Sequence, residues 1–203
     1  MKREGVHEYH GQMLGILLFS LCCVMASWAQ APISITTIEE LQRIGNEPEY
    51  PLNGHYVLAN DLDASSTRFW NNGKGFEPIG YLDYYDDYAF EFENYPFTGI
   101  FDGQGHVITG LHINRPDEDA VGLFSLVRLG GVITNLGIQG GSVTGRRLVG
   151  GLLGVGNECT VSNCFFRGKV SSNCGENYYM IISTGGLIGR SQIMTAERSY
   201  AVV

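Results

Sequence analysis

Between Phe76 and Phe97 the chain sets nine aromatic residues among six acids, with no lysine or arginine. Tyrosine rings can stack on sugar faces, and carboxylate oxygens are the donors that calcium takes. Tyr81, Tyr84, Tyr85 and Tyr88 are therefore candidate binding residues. Tyr178 and Tyr179, in the insertion from Ser171 to Ile182, form a second such loop. The competing reading is a decorated hairpin whose rings pack inward while its acids stay solvated. The alternation Phe90-Glu91-Phe92-Glu93 is half-buried strand logic and favours the hairpin.

Other chemistry is sparse. Asp61-Leu62-Asp63 opens like a calcium loop, but no glycine or bidentate glutamate follows at the needed offsets. Calcium is thus the only cofactor considered, and no metal ligand set is assigned. His106 and His112 have no third ligand and read as structural. No zinc-protease helix, nucleophile elbow or phosphate loop occurs, so no residue is assigned a catalytic role. Arg167, Lys169 and Arg190 are the cations a polysaccharide-lyase site would draw on, but nothing in the sequence places acids beside them. Removing a leader containing Cys22 and Cys23 leaves Cys159, Cys164 and Cys174. An odd count cannot pair off within the chain. Cys164 reads as a free, buried, small hydrophobe.

These residues must be held by elements, and the glycines indicate which. The chain has 203 residues and 28 glycines against 6 prolines, and twenty of the glycines lie from Gly99 onward. At 44% hydrophobic and without a three-residue period it is neither disordered nor collagen-like. A net charge of -8 argues against a nucleic-acid partner. From about Gly110 one pattern recurs. Its first half is Gly122-Leu123-Phe124, then Gly150-Gly151-Leu152-Leu153-Gly154, then Gly185-Gly186-Leu187-Ile188-Gly189. Its second half is a polar corner before apolar residues, at Asn135, Asn163 and Ser199, with Gly110 as an earlier equivalent.

The distance from glycine to corner is 13, 12 and 13 residues, while the distance from corner to the next glycine is 12, 16 and 23. One side is held and the other absorbs insertions, as stacked repeats require. Short runs such as Val107-Ile108 and Val132-Ile133-Thr134 read as strands. The expected fold is all-β, a parallel β-solenoid (β-helix). Asn135 and Asn163 would take left-handed corners and bond between rungs, with Gly110 and Ser199 interrupting that ladder.

The front of the chain reads differently. Lys2 and Arg3, the uncharged run Leu14–Ala26 and Ala29-Gln30-Ala31 fit a secretory signal over residues 1–31. The run is shorter than the roughly 20 residues a membrane span needs. Residues 32–60 read as a cap and first strand. Ile38, Leu41 and Ile44 fall at helical spacing, Thr37 and Glu40 form a capping box, and Gly45 is a stop. That short helix would lie over the first coil. Residues 61–203 form the repeats, and the expectation is that they continue in a longer polypeptide.

The Gly-Gly-Leu-Leu-Gly and Gly-Gly-Leu-Ile-Gly units, with Phe97–Ile108, Leu52–Asp63 and Pro78-Ile79-Gly80, resemble bacterial GLUG-motif repeat proteins over about residues 33–203. The resemblance implies a right-handed β-helix segment, secreted or surface-displayed. Such segments occur in adhesin-like proteins and in non-catalytic regions of IgA-protease-type metallopeptidases. It implies no catalytic residues. The expected function is a non-catalytic scaffold at the cell surface or outside it, displaying loops toward a glycan or protein surface. The alternatives are a carbohydrate-active, lyase-like enzyme and an arm of a larger secreted protease.

Overall fold

The glycine-punctuated runs become short strands, and every pairing between named strands is parallel. The computed structural model describes residues 31–82, 94–173 and 183–203. In chain order these give β1 (Ile33–Ile35), α1 (Ile38–Arg43), β2 (His55–Leu58), β3 (Leu62–Asp63) and a kinked 3-10 segment, Ser65–Gly73. There follow β4 (Ile100–Asp102), β5 (Val107–Thr109), β6 (His112–Asn114), β7 (Phe124–Val127), β8 (Val132–Thr134) and β9 (Gly137–Gly145). The last are β10 (Val149–Gly150), β11 (Leu153–Ser162), β12 (Phe165–Ser172), β13 (Thr184–Gly185), β14 (Ile188–Glu197) and β15 (Tyr200–Val202).

The strands form several sheets. One runs β1-β2-β4-β8-β11-β14, with β7 also on β11. A second runs β3-β5-β9-β12-β15, with β6 also on β9, and β10 pairs with β13 in a third. The chain is thus mostly β and built of parallel sheets. Strand neighbours are separated by matching lengths of sequence in the two large sheets. Thr160 pairs with Val132 and Phe165 with Gly137, an offset of 28 residues in both. Thr195 pairs with Thr160 and Tyr200 with Phe165, an offset of 35 in both.

Register decides which side chains are buried. In β4, β5, β6 and β8 the middle residue points inward, because successive side chains alternate between faces. Tyr56, Phe101, Ile133 and Val161 lie side by side on the first sheet. Leu62, Ile108, Ile138 and Phe166 do so on the second. All eight are buried in one apolar cluster. Burying large aliphatic and aromatic side chains, at roughly 1.5–3 kcal/mol each, is what holds such short strands together. The helix joins this cluster through Ile38, Leu41 and Ile44. Thr37 Oγ1 accepts from Glu40 N–H at 3.1 Å, as a capping box requires. The Glu40 carboxylate instead receives the Thr36 N–H at 2.7 Å, so the reciprocal arm reaches one residue further back. Gly45, with φ of 84°, ends the turn.

The corners are left-handed, and here two of the expected equivalences shift. Asn135 and Asn163 have φ of 54° and 53°, as expected. In register, however, the bend opposite Asn135 on the preceding strand pair is Gly103–Gly105, where Gly103 N–H donates to Thr134 O and Gly105 N–H to Asn135 O, each at 2.8 Å. Gly110 belongs to the next bend, where its N–H meets Gln139 O at 2.9 Å beside Gly140. Opposite Asn163 stands Arg198, with φ of 46°, rather than Ser199. Backbone pairing sets the register, and a one-residue slip would turn every inward side chain outward. Glycine-to-corner spacing becomes 13, 12 and 12, so the constant side survives the correction.

The paired glycines serve close approach rather than unusual dihedrals. A Cβ on Gly150 would stand 2.3 Å from Leu153 O and 2.5 Å from Gly189 N, leaving no room for a side chain.

Candidate functional site

Ile79 and Phe97 each form a parallel bridge to β7, at Phe124 and Val127. The two chain segments that lead away from this strand meet at Tyr81 and Tyr95. Their backbones exchange N–H···O bonds of 2.9 and 3.0 Å as an antiparallel pair. Directly opposed residues in such a pair project to the same side of the ribbon. Both rings are about half exposed, 52% for Tyr81 and 54% for Tyr95.

A cavity of about 660 Å³ opens beside them. That lies within the roughly 300–1,000 Å³ typical of small-molecule sites. Leu52 and Ile44 supply apolar wall, Ser125 lies on the strand behind, and Glu77 and Asp117 bring carboxylates. Ser125 is 5% exposed.

The far wall is a charged lock. Asp119 bridges in parallel to Arg147, and its carboxylate receives Arg146 Nε at 2.8 Å and Nη2 at 2.7 Å. It also accepts from Arg147 Nε at 3.0 Å and from Arg147 Nη2. Burial works to raise the Asp119 pKa, but hydrogen bonds from Arg146 and then Arg147 outweigh it and hold the carboxyl below its usual range. Next to it, Arg115 Nη1 grips both oxygens of Glu118 at 3.0 and 2.9 Å, and Lys74 reaches Glu118 at 3.2 Å.

Of the tyrosines expected to bind, Tyr81 is brought to this cavity, and Tyr84, Tyr85, Tyr88, Tyr178 and Tyr179 lie outside the described residues. So do Cys174 and residues 1–30 of the expected signal. Ser125, Asp117, Asp119, Arg146 and Arg147 are functional candidates that sequence reasoning missed. The signal for the four charged ones was Arg115-Pro-Asp-Glu-Asp119, a charged run in an otherwise apolar repeat, with Arg146-Arg147 one repeat later.

The remaining groups are structural. Asp61 Oδ1 accepts from Val107 N at 2.9 Å and faces His106 Nδ1 at 3.1 Å. Those two contacts, the backbone one first, lower its pKa. Asp63 accepts from Ser65 N at 2.9 Å. Both carboxylates of the incomplete calcium loop are thus used within the fold. Among the described residues no three His, Cys, Asp or Glu are grouped so as to hold a metal ion. The Arg167 guanidinium lies 5.5 Å from the Phe165 ring centre and 5.8 Å from that of Tyr200, and bonds the Tyr200 hydroxyl. Cys159 and Cys164 are free and buried, and burial pushes each thiol up to about 11. Among the described residues no helix is long and apolar enough to cross a membrane.

No family model matches the chain. It is 38% identical over 177 residues to halomucin of Haloquadratum walsbyi, an alignment covering 85% of this chain and 2% of that protein. It is 35% identical over 121 residues to a Gly-rich membrane protein of Evansella cellulosilytica, covering 58% of this chain and 13% of the other. The chain therefore spans only a small part of the length of these curated relatives. A crystal structure described as an immunoglobulin A1 protease from Bacteroides ovatus aligns over 84% of this chain and 75% of its own, with 14% identity. Its TM-score of 0.43 is too low to inform the fold.

Proposed function

We propose that the parallel sheets are faces of one right-handed β-solenoid, and that this solenoid is a non-catalytic, adhesin-like segment of a secreted or cell-surface protein. The observation that carries the reading is the shared offset. Strand partners on both large sheets are 28 residues apart and then 35 apart, so each coil lends one strand to each face. Parallel strands joined by crossovers in one sheet are right-handed in about 98% of cases, which supports the hand. The Gly-Gly-Leu units at the tight bends support a likeness to GLUG-motif repeats. The long relatives, one of them named as a membrane protein, support a place in an extended surface polypeptide.

Function then belongs to what the coils display. Packed rungs cannot change without losing register, whereas loops and the cavity beside Tyr81 and Tyr95 can. The test is incubation of the purified protein with acidic polysaccharides and calcium, following unsaturated uronates and new reducing ends. A scaffold leaves every substrate intact. Sustained turnover that scales with protein concentration would overturn the reading in favour of a lyase-like enzyme.

A further inference from the structure

We propose that the cavity between the Tyr81–Tyr95 pair and the Asp119 lock binds an uncharged oligosaccharide. This rests on the scaffold reading and names what the scaffold holds. Three observations converge on it. Two half-exposed tyrosines, paired through their backbones, line a cavity of about 660 Å³. Aromatic rings offer the flat, weakly polar surface against which the C–H face of a sugar packs.

Second, the Ser125 hydroxyl lines the cavity from a residue only 5% exposed, and no hydrogen bond reaches it among the described residues. A hydroxyl that turns to donate or accept fits another hydroxyl.

Third, the charges select against ions. Glu77 and Asp117 line the cavity and form no ion pair among the described residues. The lining cation, Arg146, holds Asp119 through two hydrogen bonds. An anionic polymer such as a uronate would meet two carboxylates with that guanidinium already committed. A neutral sugar turns the same carboxylates into acceptors for its hydroxyls, and such bonds to ionised acceptors are the strong ones.

The experiment is calorimetric titration of the full chain with neutral hexasaccharides of β-1,4-glucan and β-1,4-mannan, a galacturonate hexamer and a lysine-rich peptide. Saturable binding is expected for a neutral hexasaccharide. Tyr95→Ala should weaken it at least tenfold and Ser125→Ala about threefold, while Tyr95→Phe, which keeps the ring, stays within threefold of the parent. Circular dichroism melts report whether each variant is folded, and Ser125→Ala removes one oxygen, so it tests the cavity even where Tyr95→Ala fails to fold. The proposal is overturned if no neutral saccharide saturates, if the uronate or the peptide binds more tightly, or if folded Ser125→Ala and Tyr95→Ala bind like the parent. Cleavage of a bound hexasaccharide would sink the non-catalytic scaffold and leave the binding site standing.

Discussion

Asn163 donates its side-chain amide to the Asn135 side-chain oxygen at 2.9 Å, and Asn135 donates in turn to Asp102 Oδ1 at 2.9 Å. Both asparagines are left-handed, so one residue type satisfies the bend and links the ends of three neighbouring strands, β4, β8 and β11. Asn tolerates this conformation better than other residues with a Cβ, because its short polar side chain bonds locally.

Replacing Asn135 separates the two roles. Asn135→Gly keeps the bend and loses both ladder bonds, so it should cost about 2 kcal/mol, at roughly 1 kcal/mol for each hydrogen bond. Asn135→Ala adds the left-handed penalty of roughly 1–2 kcal/mol. Urea unfolding of the three proteins should rank them parent, glycine, alanine. An alanine variant as stable as the glycine one would show that the bend is not strained.

Ile193 is the converse case. It is a β-branched residue at φ of 48° and 72% exposed, so its side chain gains little and its backbone is strained. Ile193→Asn should raise stability by about 1 kcal/mol, read as an increase in Tm. A fall in Tm would mean that Ile193 makes contacts that outweigh its conformation.

Asp119 should set a step in acid stability. Its folded-state pKa is depressed, so its contribution is complete above the ordinary carboxylate range and is lost as pH falls through the folded value. Protonation would leave Arg147, 3% exposed, without its counter-charge. Asp119→Asn should cost about 3–5 kcal/mol at pH 7, the usual loss when one member of a buried pair is removed. It should also flatten the stability curve between pH 5 and acid, measured by denaturant midpoints at each pH. A parallel curve for the variant would assign the acid step elsewhere.

Cys159 and Cys164 should be inert in the folded chain. With thiols raised to about 11 and both side chains buried, almost no thiolate is present at pH 8. Alkylation of these two residues, mapped by peptide mass, should be slow until denaturant is added. Rapid labelling of Cys164 in native buffer would mean that the rung carrying it opens.

How far the sequence could be read follows from what kind of contact is involved. The repeats, the parallel strands, the helix at Ile38–Arg43 and the left-handed asparagines were legible because each leaves a local mark: a glycine, a Val-Ile-Thr run, a capping threonine. The register was not fully legible. Gly110 looks like that corner, but the bend Gly103–Gly105 holds the place, because pairing between strands about 30 residues apart decides it. The site was half legible. Tyr81 and Tyr95 both lie in the aromatic stretch that stood out by composition, but their partnership is a backbone pairing that composition does not show. Ser125 carries no signal at all, since a serine in a strand becomes notable only when the cavity in front of it is known. Asp119 and the Arg146-Arg147 pair lie one repeat apart, so their meeting depends on the same register.

The most direct test of the proposed stacked-coil account places nitroxide labels on the exposed column Gln139, Arg167 and Val202, which the register puts on the neighbouring strands β9, β12 and β15. Neighbouring strands lie about 4.8 Å apart. Labels at Gln139 and Arg167 should therefore show strong dipolar broadening, and labels at Gln139 and Val202 a backbone separation about twice as large, with weaker broadening. Separations beyond about 20 Å for the first pair, some four times the strand spacing, would contradict the stacking and with it the scaffold built upon it.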